Sequence, residues 1–413
     1  MTTRHLGMDL SLVLAVAVTG CIARPAPTPD AIAEGYVRVA LQLAQHDPGL
    51  VADWRGNPDW RPGPRVPVAP LLQRITTLRQ ELARANEPGV DDRRHYLAGQ
   101  LAALELSARR LLGESGTFAA EALSAFDYVV APPLAAEAAA SRDALGHELP
   151  GTLPLVTRYA EFRKRMTVAP SKAEDLMRAA LGACRSVARE AYGLPADESV
   201  ELAFADDSPW DGFAQYLGAH RTRITINRHA ALDVSRALRL ACHEGYPGHH
   251  WQFMLIDDEL VRRRGWREFA LAPMFGPHLF VSEGAAEVAA DLAFPPAARV
   301  ALYRGVLLPL AGLPVAEADR LVRIEGLIAS LEPVAIGIIG DYLDGRLRHA
   351  AATERLRQEA LTLEPDGLLA FAARVRIRVV AYPGGRSAVR ATIGDGGATA
   401  LRQLYADRPF AVR

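Results

Sequence analysis

Cysteine is scarce: Cys21, Cys184 and Cys242 are the only three in 413 residues, too few for a disulfide framework to hold the fold. A hydrophobic content of 50% is enough to bury a large core instead, as one large domain or two intimately packed ones. Charge of one sign is lacking as well. Forty-seven Lys and Arg face 48 Asp and Glu, a formal net charge of -1, and the arginines are spread along the chain, so no electrostatic footprint for nucleic acid is present. There is no P-loop, dinucleotide fingerprint, G-x-S-x-G elbow or internal repeat. The apolar run from Leu10 to Val18 is too short to span a bilayer.

That short run has a different use. Arg4 and His5 precede it and Thr19-Gly20-Cys21 follow it, the order of a signal peptide. Val18 to Cys21 also resembles a bacterial lipobox, which makes Cys21 a candidate for lipidation and membrane anchoring. Asp9 stands just before the apolar run, so initiation at Met8 and a plain secretory signal remain as alternatives. Residues 1–21 are therefore expected as a leader, and the protein as exported, periplasmic or membrane-anchored. Cys184 and Cys242 are expected as two buried thiols, with a bridge between them the alternative in an oxidising compartment.

Residues 22–165 are expected as an N-terminal helical region. Three prolines between Ala23 and Pro29 make a tether, and Thr28-Pro29 is a helix start. Apolar periodicity predicts helices over 71–85, 92–112, 117–128 and 134–146. Residues 166–413 are expected as the catalytic region, packed as one unit with the first. Ser171-Lys172-Ala173-Glu174 is a capping-box pattern that opens a helix to about Tyr192. Val200–Phe204 and Arg223–Asn227 are the strand candidates. A strand beside the central helix suits pairing with an extended peptide, and an ordinary short hairpin is the equal alternative. Further on, 308–312 is predicted as a break, 315–331 and 333–347 as a packed pair, and 353–361 as a helix.

The chemistry concentrates in Cys242-His243-Glu244-Gly245-Tyr246-Pro247-Gly248-His249-His250-Trp251. Imidazole is a zinc ligand, and a glutamate directly after the first histidine can work on a metal-bound water. In H-E-x-x-H the histidines at i and i+4 share a helix face, but here i+4 is Pro247. On an unbroken helix His250 would sit roughly 10 Å along the axis from His243, and His249 would point about 120° away. Pro247 and Gly248 permit a two-residue bulge that brings His249 into the i+4 place. His243 and His249 are thus the expected ligand pair, with His250 supporting them. Val234, Ala237, Leu238, Ala241 and Cys242 form the buried stripe of this helix, capped by Asp233, and His243 faces away from it beside Arg236 and Arg239.

H-E-G-Y-P-G-H-H resembles the H-E-x-x-P-G-H-H signature of the bacterial family called domain of unknown function 885, which looks like a branch of the gluzincin zinc metallopeptidases. The resemblance implies a mainly α, large helical gluzincin-like fold with a small β-strand element beside the active-site helix, and a peptide as substrate. Ser282-Glu283-Gly284 resembles the family's second motif, which makes Glu283 the third ligand of Zn²⁺. Glu287, one turn on, is expected to orient a ligand histidine through its other ring nitrogen. Arg376 to Gly385 resembles the C-terminal motif, with Tyr382 as the match and an oxyanion-binding hydroxyl as its role. Ala381 and Pro383 depart from the pattern, and a tyrosine merely packed before a turn is the alternative. The implied chemistry is hydrolysis of peptide bonds with Glu244 as general base. Two other classes remain open: a non-catalytic binding lipoprotein that keeps the fold, and a zinc amidohydrolase acting on non-peptide amides.

Overall fold

The computed structural model describes residues 27–85, 91–206, 210–229, 231–407 and 410. The leader and Cys21 lie outside the described residues. Among those described, no helix is long and apolar enough to cross a membrane.

The fold is mainly helical. Thr28 caps the first helix, α1 (Pro29–Ala44), accepting from the Ala31 N–H with Pro29 at the first helical position. Helices α2 (Val68–Arg84), α3 (Asp91–Leu111), α4 (Phe118–Phe126) and α5 (Ala135–Glu148) follow close to the predicted segments. Then comes α6 (Leu155–Met166), which periodicity did not single out. The long α7 (Pro170–Ala191) begins one residue before Ser171: Ala169 is its N-cap and Pro170 its first residue. The expected capping box is therefore not the start, because proline already fixes the first φ and needs no donor satisfied.

Two small sheets interrupt the helices. Strands β1 (Val51–Trp54) and β5 (Leu271–Pro273) pair antiparallel. Strands β2 (Ser199–Ala205), β3 (Gly212–Gly218) and β4 (Arg221–Asn227) form a sheet of order β2-β4-β3, with β2 parallel and β3 antiparallel to the central β4. Both predicted strands exist; β3 was not foreseen, and it is the one that lies against the site helices.

The middle of the chain is α8 (Val234–Glu244) and α9 (His249–Leu255), then the buried α10 (Gly276–Ala293). α8 lies between α7 and α10, with its stripe of Val234, Ala237, Leu238, Ala241 and Cys242 buried. Cys184 of α7 and Cys242 of α8 are bridged, with Cα atoms 5.5 Å apart. The expectation of two buried thiols is thereby corrected: the α7–α8 packing brings these two positions face to face.

The remainder is α11 (Pro296–Leu302), α12 (Leu308–Ala311), α13 (Ala318–Ala329), α14 (Glu332–Leu343), α15 (His349–Glu359), α16 (Pro365–Val375), α17 (Pro383–Ile393) and α18 (Gly397–Ala406). Two expectations change here. Residues 308–311 are helical and the break falls at Gly312, which takes the left-handed conformation that ends α12. The helices at 318–329 and 332–343 are not a packed pair, since α13 lies on α5 while α14 lies on α15. One contiguous core contains residues from both sides of position 166, and Arg93 of α3 reaches buried Glu268 through two hydrogen bonds of 2.6 and 2.9 Å.

Candidate metal centre

α8 stops at Glu244 and α9 restarts at His249, so the expected two-residue bulge in a continuing helix is a four-residue interruption instead. Pro247 lacks the N–H a helix needs. Around it Gly245 takes φ -101°, ψ -99° and Gly248 takes φ -82°, ψ -138°. The turn is tight. Gly248 N–H bonds Cys242 O at 3.1 Å, and a Cβ on Gly248 would stand 1.9 Å from His243 O. Only glycine fits there, and folding the chain back on itself brings the imidazoles of His243 and His249 to a ring separation of 4.8 Å.

α10 supplies the third group. One donor atom each from His243, His249 and Glu283 lie within 4.8 Å of one another. Glu283 Oε2 is 3.4 Å from His243 Nε2, and its Oε1 is 3.8 Å from His249 Nε2. A tetrahedral ion with bonds of about 2 Å has ligands roughly 3.3 Å apart, so this set fits zinc with small inward movement.

The other face of each ring is held. Glu287 Oε1 lies 3.3 Å from His243 Nδ1, so with the proton on Nδ1 the Nε2 lone pair points at the shared centre. Arg239 holds Glu287 at 3.1 Å and Arg386 stands at 3.9 Å. Although burial opposes it, these cations and His243 keep the Glu287 carboxyl well below the usual range. His249 Nδ1 faces Gln252 Oε1 at 3.3 Å, and Ser282 Oγ donates to the same oxygen at 2.7 Å. Burial would lower the His243 imidazole, but Glu283 and Glu287 outweigh it and raise it well above its ordinary value. The two carboxylates thus favour positive charge at this position, as a proton or as a cation that displaces the proton from Nε2.

Glu244 projects from the last turn of α8 toward edge strand β3. An added Cβ on Gly212 would be 3.1 Å from its Oε1, and Ala214 offers it a backbone hydrogen bond. Burial raises the Glu244 carboxyl above its ordinary value while His243 and His249 pull it down, the balance a general base needs.

Tyr382 arrives from the far end of the sequence. α17 crosses α10 so closely that a Cβ on Gly284 would lie 2.2 Å from Gly385 C, and one on Gly385 would lie 2.3 Å from Phe280 O. That crossing sets Tyr382, which precedes α17, near the carboxylates of Glu283, Glu244 and Glu287. Its hydroxyl is raised well above its ordinary value by Glu283 first, then burial, Glu244 and Glu287, and so stays protonated.

One singled-out residue lies elsewhere. His250, expected in support of the ligands, hydrogen-bonds Thr222 Oγ1 at 2.7 Å and Glu198 Oε2 at 3.2 Å instead. One step along α9 turns a side chain by about 100° from its neighbour, away from the centre. Asp291, one turn beyond Glu287 on α10, also stays out of the centre and pairs with Arg299 and Arg390. Gln252, β3, Arg386 and the pairing of Arg239 with Glu287 escaped the sequence reading; for Gln252 the i+3 spacing from His249 was the only available signal.

No family model matches the chain, and no curated protein matches it. Solved structures do share its shape. A "putative lipoprotein" from Colwellia psychrerythraea superposes with a TM-score of 0.50 at 17% identity, over 82% of this chain and 63% of that one. A "putative lipoprotein of unknown function" from Shewanella oneidensis gives 0.43 at 10% identity, over 82% and 72%. The first likeness is one of fold, and this chain spans less than two thirds of the Colwellia chain; the second carries no argument.

Proposed function

We propose that this chain is an exported metallohydrolase of peptide bonds, in which His243, His249 and Glu283 hold zinc. The observation that carries the reading is the convergence of three donor atoms within 4.8 Å, two of them on imidazoles whose other nitrogen already has an oxygen partner. Bound zinc supplies Lewis acidity and makes a coordinated water acidic near neutral pH. The chain's own residues do the rest. Glu244 takes the proton of the attacking water and passes it to the leaving amine. The Tyr382 hydroxyl donates to the oxyanion that develops on the carbonyl oxygen. Edge strand β3 offers backbone groups to an extended substrate, and Gly212 leaves room for it beside Glu244.

A second reading is a non-catalytic binding lipoprotein. It is favoured by the lipobox-like Val18–Cys21 and by the description of the Colwellia protein as a "putative lipoprotein". The comparisons speak for this second reading and are silent on hydrolysis, whereas the donor geometry speaks for the first. Zinc-loaded wild type and Glu244→Gln, incubated with a mixed peptide library and read by mass spectrometry, separate the two. We expect cleavage by wild type and a loss of about 10²-fold or more in the variant with zinc retained. Full activity in Glu244→Gln would sink the general-base role, and no cleavage by either would favour the binding lipoprotein.

A further inference from the structure

A cavity lies at the N-terminal end of α10, away from the histidines. It has a volume of about 120 Å³ and is enclosed by α3, the start of α10 and the segment that follows α16. Three arginines line it: Arg110, Arg374 and Arg378. Asp47 is the single lining carboxylate, and its Oδ1 already accepts the Gly49 N–H at 2.9 Å.

None of the three arginines is paired with a carboxylate. Arg378 donates to the carbonyls of Gly49 at 2.5 Å, Val375 at 3.3 Å and Met274 at 3.5 Å, which fix it without neutralising it. Arg374 stands over the Phe371 ring at 5.8 Å. The half-buried Arg110 side chain makes no hydrogen bond or ion pair among the described residues. Behind them Arg376 is 3.6 Å from buried Glu121, and that acid offsets part of the charge of both Arg376 and Arg110. Burial first, then the neighbouring Arg376 and Arg378, depress the Arg110 guanidinium below its ordinary value, and Glu121 and Asp47 only partly offset them.

Clustered cations in a concave site lack only an anion, and the guanidinium fork matches the two-oxygen edge of a carboxylate or phosphate. At about 120 Å³ the cavity far exceeds the roughly 10–15 Å³ that one water needs by the same measure, which leaves room for such a head group. We propose that this cavity is an oxyanion-binding site that takes the carboxylate or phosphate group of a small ligand. Two sources supply that chemistry. One is a free anion. The other, which rests on the hydrolase reading, is the carboxyl terminus of a peptide. Gly276 lines the cavity and Glu283 lies seven residues along the same helix, roughly 10 Å at 1.5 Å per residue, a span of about three extended residues.

The test uses the full chain treated with chelator, so that phosphate cannot act through a metal. Inorganic phosphate is titrated calorimetrically at low ionic strength into wild type, Arg110→Gln and Arg374→Gln, with thermal unfolding midpoints confirming that each variant is folded. We expect saturable one-to-one binding at about 1 mM or tighter, weakened at least about tenfold in Arg110→Gln. Absence of saturable binding below about 10 mM, or equal affinity in wild type and both variants, overturns the proposal. A second arm compares the free-acid and amidated forms of one tetrapeptide on zinc-loaded Glu244→Gln. Tighter binding of the acid that disappears on adding Arg110→Gln assigns the site to a peptide terminus; equal binding alongside a phosphate response assigns it to a free anion. Because the phosphate arm needs no zinc, its failure is distinct from failure of the hydrolase reading.

Discussion

Replacing Gly248 with alanine probes the connection between the chain reversal and the metal ligands. The new Cβ would stand 1.9 Å from His243 O and 2.4 Å from Cys242 O, both main-chain atoms that no rotamer change can clear. Reaching even 3.0 Å, the shortest approach Cβ atoms make, demands a backbone shift of about 1 Å between the two ligand histidines. His249 is the next residue, so the shift passes straight to its imidazole. Zinc sites tolerate deviations of about 0.2 Å in their bond lengths. We therefore expect zinc affinity to fall at least tenfold, in the range of about 10–100-fold seen when groups behind a ligand are disturbed. Overpacking of this buried turn should also cost about 1–3 kcal/mol of stability. Competition against a chromophoric chelator reads the affinity, and thermal unfolding of chelator-treated protein reads the folding loss separately. A zinc affinity within about twofold of wild type would refute the claim that this turn builds the ligand pair.

Other outcomes follow from the same geometry. Tyr382→Phe should keep zinc and lower kcat by about 10²-fold with little change in KM, the signature of a donor that acts in the transition state; unchanged kcat would return Tyr382 to a packing role. Burial opposes ionisation of Glu198, but hydrogen bonds from His250, Tyr246 and Arg185 outweigh it and hold the carboxyl down at about 2. Its folded value lies below the ordinary 4.5, so its contribution is full above pH 4.5 and is lost as pH falls toward 2. The size is on the order of 3 kcal/mol. Glu198→Gln should be less stable than wild type at pH 6 and lose less between pH 4.5 and pH 2 in chemical denaturation. Parallel losses in both proteins would contradict that assignment.

What the sequence made legible was local. The Asp233 cap, the apolar stripe of α8 and the Thr28-Pro29 helix start are each written in a few consecutive residues, and the structure has them where the spacing puts them. The i, i+4 spacing of Glu283 and Glu287 likewise survives, because α10 is unbroken. Tertiary geometry was harder. Periodicity cannot say that α7 and α8 meet at Cys184 and Cys242, nor that α14 prefers α15 to α13. The strand β3 was hidden because Gly212–Gly218 carries glycine at both ends and only a short apolar alternation. His250 was misplaced because adjacency in sequence suggested adjacency in the site, whereas a helix turns its neighbours apart. The cavity of Arg110, Arg374 and Arg378 draws on segments more than 260 residues apart, which no local pattern reveals.

The central claim is that His243, His249 and Glu283 form one metal site. Elemental mass spectrometry of the purified wild type and of His249→Ala, each supplied with zinc and then desalted, tests it most directly. The account expects about one zinc per chain in wild type and little in the variant, since two remaining protein ligands hold zinc poorly. Zinc retained at full stoichiometry by His249→Ala, or absent from wild type after zinc is supplied, would contradict it.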